Sequence, residues 1–207
     1  MSDALLNPNA LVAPRREVLA DFVPAVPTTL VRDIGLIAGG AALTGVSAQF
    51  AFVTPLSPVP FTLSTLTVLV VGAALGTKRA VLSMLVYLGL GVVGLPWFAE
   101  AGSGWHMPSF GYIIGFVVAA GVVGALAKRG ADRKVASTVA LLVAGTLIVY
   151  TIGTTWLAFD LGVSAGKAFS LGVQPFLITD SLKIVVAALA FPAAWRFANK
   201  PQSSPQS

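Results

Sequence analysis

Asp180 and Lys183 lie three residues apart in a stretch, 174–197, that is otherwise mostly apolar. An unpaired charge at the centre of a membrane helix costs roughly 2.5–3.5 kcal/mol even on the lenient insertion scale. A helix starting near Gln174 and rising about 1.5 Å per residue carries the two residues roughly 9 and 14 Å into a bilayer. At i and i+3 they share one face and partly neutralise each other. Two readings stand. One is a self-satisfied ion pair buried between helices. The other is a polar floor for a ligand that both donates and accepts hydrogen bonds. Asp180 then accepts a ligand N–H, and Lys183 donates to a carbonyl or carboxylate.

Two other segments could complete such a site. Residues 54–65 hold Pro55, Pro58 and Pro60, then the hydroxyls of Thr62, Ser64 and Thr65. The prolines make a stiffened loop that cannot join a helix interior. The hydroxyls either face a ligand at the external mouth or bond back to the backbone at a helix entry. Residues 95–112 mix glycines with Trp97, Phe98, Trp105, His106 and Tyr112, which suits a lid or pocket wall. Trp97 and Trp105 serve either an aromatic belt at the membrane surface or a ring of the ligand. His106, the sole histidine, reads as a solvated loop side chain.

Other chemistries find no support. Residues 162–168 resemble a P-loop faintly, with three residues instead of four between the glycines and Ala168 where a hydroxyl must hold magnesium. No HExxH or carboxylate cluster occurs, so neither a metal nor a catalytic centre is expected. One external histidine is a poor base for an intramembrane nucleophile. The absence of cysteine removes thiolate sites and disulfides. The expectation is a protein that is not an enzyme.

The elements that must position these residues are membrane helices. Hydrophobic residues make up 56% of the 207 and charged residues only 10%. A soluble domain carries about 25% charged residues. Six stretches approach the roughly 20 apolar residues needed to cross a bilayer. They are 31–53, 60–76, 80–98, 109–127, 136–159 and 174–197. Arg15, Arg16 and Arg32 precede the first; Lys78 and Arg79 follow the second; Lys128, Arg129, Arg133 and Lys134 follow the fourth; Arg196 and Lys200 close the sixth. These eleven of the thirteen basic residues fall on one side, which makes both termini cytoplasmic and the helix count even. The net charge of +5 is therefore a topology signal, not a nucleic-acid footprint. Residues 1–29 lack an apolar signal-peptide core and read as a cytoplasmic tail, 30–198 as the membrane domain, and 199–207 as a disordered tail. In the first helix Gly35, Ala38, Gly39 and Ala42 form a flat stripe for close helix approach, within this chain or onto another subunit.

Four blocks carry a family resemblance: Val-Pro-Phe-Thr-Leu at 59–63, Gly-Leu-Pro-Trp-Phe-Ala at 94–99, Gly-Tyr-Ile-Ile-Gly-Phe at 111–116, and Pro-Phe-Leu-Ile-Thr-Asp-Ser-Leu-Lys at 175–183. Through them the chain resembles the BioY family, the biotin-specific substrate-binding (S) components of energy-coupling factor transporters. The resemblance implies an all-α membrane protein of six transmembrane helices, the S-component fold, in a bacterial plasma membrane. It implies biotin as transported ligand and no cofactor bound by this chain. It implies a transmembrane coupling (T) subunit and two ABC-type ATPases as partners, with ATP used by the latter. Asp180, Lys183 and Tyr112 match family motif positions as ligand contacts, with Thr62, Ser64, Trp97 and Phe98 beside them. Ala38 and Ala42 match a small-residue motif that docks the coupling subunit. Ser64 departs from the Gln common at that place. Biotin's ureido ring, with two N–H donors and one carbonyl, suits Asp180 and Lys183; its thiophane ring suits the aromatics. A self-sufficient carrier is disfavoured because no inverted repeat of broken helices is visible. An S component for another vitamin is opposed only by the motif blocks.

Overall fold

A computed structural model describes residues 17–23 and 28–198. The expected disordered tail at 199–207 and most of the expected N-terminal tail lie outside these residues. The chain is mainly helical, with α1 (Thr29–Gln49), α2 (Ser64–Leu75), α3 (Thr77–Val92), α4 (Phe110–Lys128), α5 (Val135–Leu161), α6 (Ala165–Gly172) and α7 (Leu177–Ala198). A two-stranded antiparallel hairpin, β1 (Ala51–Thr54) and β2 (Ser57–Thr62), stands between α1 and α2.

Four spans are long and apolar enough to cross a membrane: α1, α4, α5, and the run from α6 through α7. With 12 and 16 residues, α2 and α3 are shorter. Large apolar side chains cover the outside, among them Ile178 at 83% and Phe159 at 81% exposure. In water that surface would be unfavourable; in hydrocarbon it is the expected exterior.

Helix α4 is the axis of the bundle. It packs on α2, α3 and α5, while α1 leans on α3 and α7 lies against α5 and α2. Small residues permit the closest contacts. Gly76 is the whole link between α2 and α3, and its φ of 75° turns the chain sharply there. Gly124 of α4 abuts that link so closely that a β-carbon would come within 2.5 Å of the Thr77 amide nitrogen.

Two departures from the sequence expectation follow from local chemistry. The first helix stops at Gln49 instead of running to 53, because residues 51–54 pair with β2. Pro58 and Pro60 lack the N–H that a helix interior requires, and the segment alternates inward Ser57, Val59 and Phe61 with more exposed neighbours. Phe52 stacks on Phe61 at 4.9 Å, and Phe61 on Phe176 at 4.3 Å, which binds the hairpin to the entry of α7. The expected loop 160–173 also contains a helix, α6, whose N-cap Ser164 accepts from the Lys167 amide at 3.4 Å.

The opposite end is tied by polar contacts. Arg79 bridges Asp21 at 3.1 Å and Asp33 at 3.0 Å. Burial alone would raise the Asp21 pKa, but the Val18 amide, Arg79 and the Glu17 amide outweigh it and hold it below its ordinary value. Asp132, fully buried in the α4–α5 connection, accepts from the Trp195 indole at 2.6 Å. Its second oxygen has no hydrogen-bond partner among the described residues. Burial pushes its pKa up, against the pull of that indole N–H and of Arg133. The Arg133 guanidinium also lies 4.6 Å over the Trp195 ring.

Candidate functional site

The first turn of α7 sets the site's chemistry. The Gln174–Phe176 turn delivers the chain into α7, and the fourth residue of that helix is Asp180. Only 5% of Asp180 is exposed, yet both carboxylate oxygens are occupied. Lys183 donates to Oδ1 at 2.6 Å and the Tyr150 hydroxyl donates to Oδ2 at 2.7 Å. Lys183 also donates to the Thr62 carbonyl at 2.7 Å and to Thr65 Oγ1 at 2.9 Å. An ammonium has three hydrogens, so Lys183 is saturated by the protein itself. The pair is neutral as a unit and draws α7, α5, β2 and α2 together.

Above this cluster opens a cavity of about 530 Å³, counting its mouth. Its polar side is Asp180, Lys183, Tyr150, Thr62, Ser64 and Thr65. The remaining wall is mostly apolar: Val59, Pro60, Ile113, Phe116 and Phe176, with Tyr87 and Tyr112 adding ring faces. Ala99 and Ser109 reach it from the connection between α3 and α4. The mix of a mostly apolar wall with a few convergent polar groups is that of a small-molecule pocket. Each carboxylate oxygen of Asp180 retains a lone pair for a ligand N–H beyond the bond it already accepts.

Tyr112 is held by two small residues. Its hydroxyl donates to the Gly172 carbonyl at 2.8 Å, and its ring fills the space where a side chain at Gly153 would stand. Thus α6 is fastened across the pocket to α4.

Five of the seven expected ligand residues converge on one cavity: Asp180, Lys183, Tyr112, Thr62 and Ser64. The Thr62 and Ser64 hydroxyls bond each other. Trp97 and Phe98 are not in the lining. They stand behind Tyr87, at ring-centroid distances of 5.2 Å each, with the Trp97 indole donating to the Tyr87 carbonyl at 2.9 Å. Thr65, one of the hydroxyls the sequence offered, lines the cavity too, whereas Tyr150, Tyr87, Phe116 and Phe176 were not expected in the site. For Tyr150 a signal existed: a hydroxyl in the middle of an apolar helix needs a buried partner. His106 lies against the Trp105 ring in the connection between α3 and α4 and is not in the cavity lining. Among the described residues no group of His, Cys, Asp or Glu is arranged to hold a metal.

The expected docking residues Ala38 and Ala42 are exposed, and Gly35 and Gly39 have nothing within 4 Å of where a β-carbon would lie. The face of α1 that packs inside the chain is a different one, with Gly40, Ala41, Thr44 and Ala48.

Bundle and cavity define a helical membrane protein that encloses a pocket for a small, partly polar molecule. Residues 16–200 match the model of the BioY family, and the chain belongs to that family. It is a transport component, not an enzyme. A probable biotin transporter BioY from Pyrococcus horikoshii is 39% identical over 161 residues, 76% of this chain and 93% of the relative. The biotin transporter BioY of Thermotoga maritima is 40% identical over 138 residues, 65% of this chain and 80% of the relative. The fold is shared with a crystal structure of the S-component for biotin from an ECF-type ABC transporter. The TM-score is 0.72 at 20% identity, over 83% of this chain and 93% of that one.

Proposed function

We propose that this chain is the biotin-capturing S component of an energy-coupling factor transporter. One observation carries the reading: a buried carboxylate, Asp180, fixed by Tyr150 and Lys183 at the floor of an apolar, aromatic cavity. The ureido ring offers two N–H donors to that carboxylate and one carbonyl to a hydroxyl of the cavity's polar side. The thiophane ring matches the faces of Tyr87, Tyr112 and Phe176. The family and the printed names of the relatives support the same ligand.

In this reading the cavity faces the outside of a bacterial cell membrane and both termini are cytoplasmic. The chain crosses six times, and β2 helps the short α2 to span, since a strand rises roughly 3.3 Å per residue against about 1.5 Å in a helix. A transmembrane coupling subunit docks on Ala38 and Ala42, whose small side chains allow close helix approach. Two ATPase subunits supply the energy; this chain binds no nucleotide.

Titrating the purified protein with biotin, followed by tryptophan fluorescence, tests the ligand. Saturable one-to-one binding is expected. Silence towards biotin together with a response to another vitamin overturns the assignment. Orientation is tested separately, because the chain has no cysteine of its own. Ser103→Cys is expected to label in intact cells, and Ala136→Cys only after permeabilisation; the opposite pattern overturns the topology.

A further inference from the structure

The turn Ala99–Ala101 brings Ala99 to the cavity wall, and its backbone is strained. Glu100 and Ala101 have φ of 57° and 56°, the left-handed region where a β-carbon crowds the backbone. The turn's own bonds, Phe98 N–H to Gly102 and Gly102 N–H to Ala99, close it on itself, and Gly104 N–H ties its far end to Gly91 of α3. Its near end is held from elsewhere, by the last residue of α1.

Gln49 reaches into the turn with both ends of its amide. Nε2 donates to the carbonyls of Trp97 at 3.0 Å and Phe98 at 3.1 Å, and also to Gly45 of its own helix at 3.1 Å. Oε1 accepts from the Ala101 amide at 3.3 Å. One side chain therefore meets the strained segment at three points: two carbonyls before it and an N–H inside it. One turn below, Gly45 leaves room for the Trp97 ring, since a β-carbon there would come within 2.8 Å of it. Trp97 and Phe98 in turn back Tyr87, which lines the cavity.

We infer that Gln49 is a positioning residue of the ligand pocket, holding the left-handed Ala99–Ala101 turn and the Trp97–Phe98–Tyr87 wall in their binding geometry from the end of α1. Without it the strained backbone relaxes and Ala99 leaves the wall. The inference rests on the biotin-binding reading above for its affinity readout but not for its structural one.

The test uses the full chain, purified in detergent. Glu17 and Glu100 are its only glutamates, so a Glu-specific protease reports on the turn, with cleavage after Glu17 as internal control. Gln49→Ala, and Gln49→Met with its similar length and no amide, are expected to speed ligand-free cleavage after Glu100 relative to Glu17. Both are expected to weaken biotin binding by about tenfold, the scale of losing a few exposed hydrogen bonds. Glu100→Gly, which relieves the left-handed strain, is expected to leave the parent's affinity nearly unchanged and to restore part of the loss in the Gln49→Ala background. A merely structural role for Gln49 predicts no such rescue. Unchanged cleavage in both Gln49 variants overturns the fastening. Faster cleavage with unchanged biotin affinity, or no rescue by Glu100→Gly, overturns the positioning role. If the parent itself ignores biotin, the ligand assignment falls, while cleavage still decides whether Gln49 holds the turn.

Discussion

Asp180 is buried with a hydrogen bond on each oxygen, and Lys183 is half-buried with a bond on each hydrogen. Such groups are costly to unpair. Lys183→Ala leaves the carboxylate without its counter-ion and is expected to weaken biotin binding by about 1.5–3 kcal/mol, the range for hydrogen bonds to charged groups. Asp180→Asn removes the charge that recognises ligand N–H groups, and a loss of about 1 kcal/mol or more is expected by titration. Tyr150→Phe is the more discriminating change. It deletes one donor to Oδ2 while the ring still fills its place against α7. We expect about 0.5–1.5 kcal/mol weaker binding with little change in thermal stability. Unchanged affinity in all three variants would return the cluster to a self-contained ion pair. At this scale the sequence was informative where it broke a rule. Asp180 and Lys183 stand out because lipid-facing helices exclude charge. Thr65 does not, because a threonine hydroxyl can satisfy itself against its own helix; Tyr150 signals only that a partner is needed, and the fold alone reveals which carboxylate or ammonium each hydroxyl meets.

Helices, strands and turns were legible to different degrees for a physical reason. Long apolar runs dictate α1, α4, α5 and α7, since nothing else satisfies a backbone in hydrocarbon. The hairpin was missed because Phe52 and Val53 are as apolar as the helix before them; only pairing with the proline-bearing strand distinguishes them. Helix α6 was missed because eight residues give too short a pattern. Trp97 and Phe98 were expected against the ligand, but tertiary packing sets them one layer back, behind Tyr87. The far end of α7 yields a prediction with a pH signature. Asp132 is buried with its pKa raised, so the folded state disfavours its ionised form. Its contribution is fully favourable below the unfolded value of roughly 3.9 and declines as pH rises towards the folded one. Trp195→Phe removes the indole N–H that eases the ionised form. The variant is expected to lose little stability near pH 4 and about 1–3 kcal/mol by pH 7, measured by thermal unfolding at both. Equal losses at both pH values would show that the indole acts through packing alone.

At the scale of the molecule, the exposed stripe on α1 and the pocket with its open mouth are the two features the proposed transport role needs. Ala38→Leu is expected to leave biotin affinity within about twofold of the parent while abolishing uptake by cells that carry the coupling subunits, since a larger side chain blocks close helix approach. Loss of affinity instead would mean the stripe packs within this chain when the membrane surrounds it. Long apolar runs pointed to a membrane protein before any coordinates, because hydrophobic length is a property of sequence alone. The packing of α4 at the centre was not visible, because every helix is apolar on most sides.

The neutrality of the Asp180–Lys183 pair has an electrical consequence. A unit charge carried across a membrane potential of 100 mV costs or gains roughly 2.3 kcal/mol. A site with one unbalanced carboxylate would add that work to every displacement of the loaded bundle in the field. Because the ammonium three residues away cancels it, the pocket contributes no gating charge, and only the charge on the cargo itself is left for the voltage to act on.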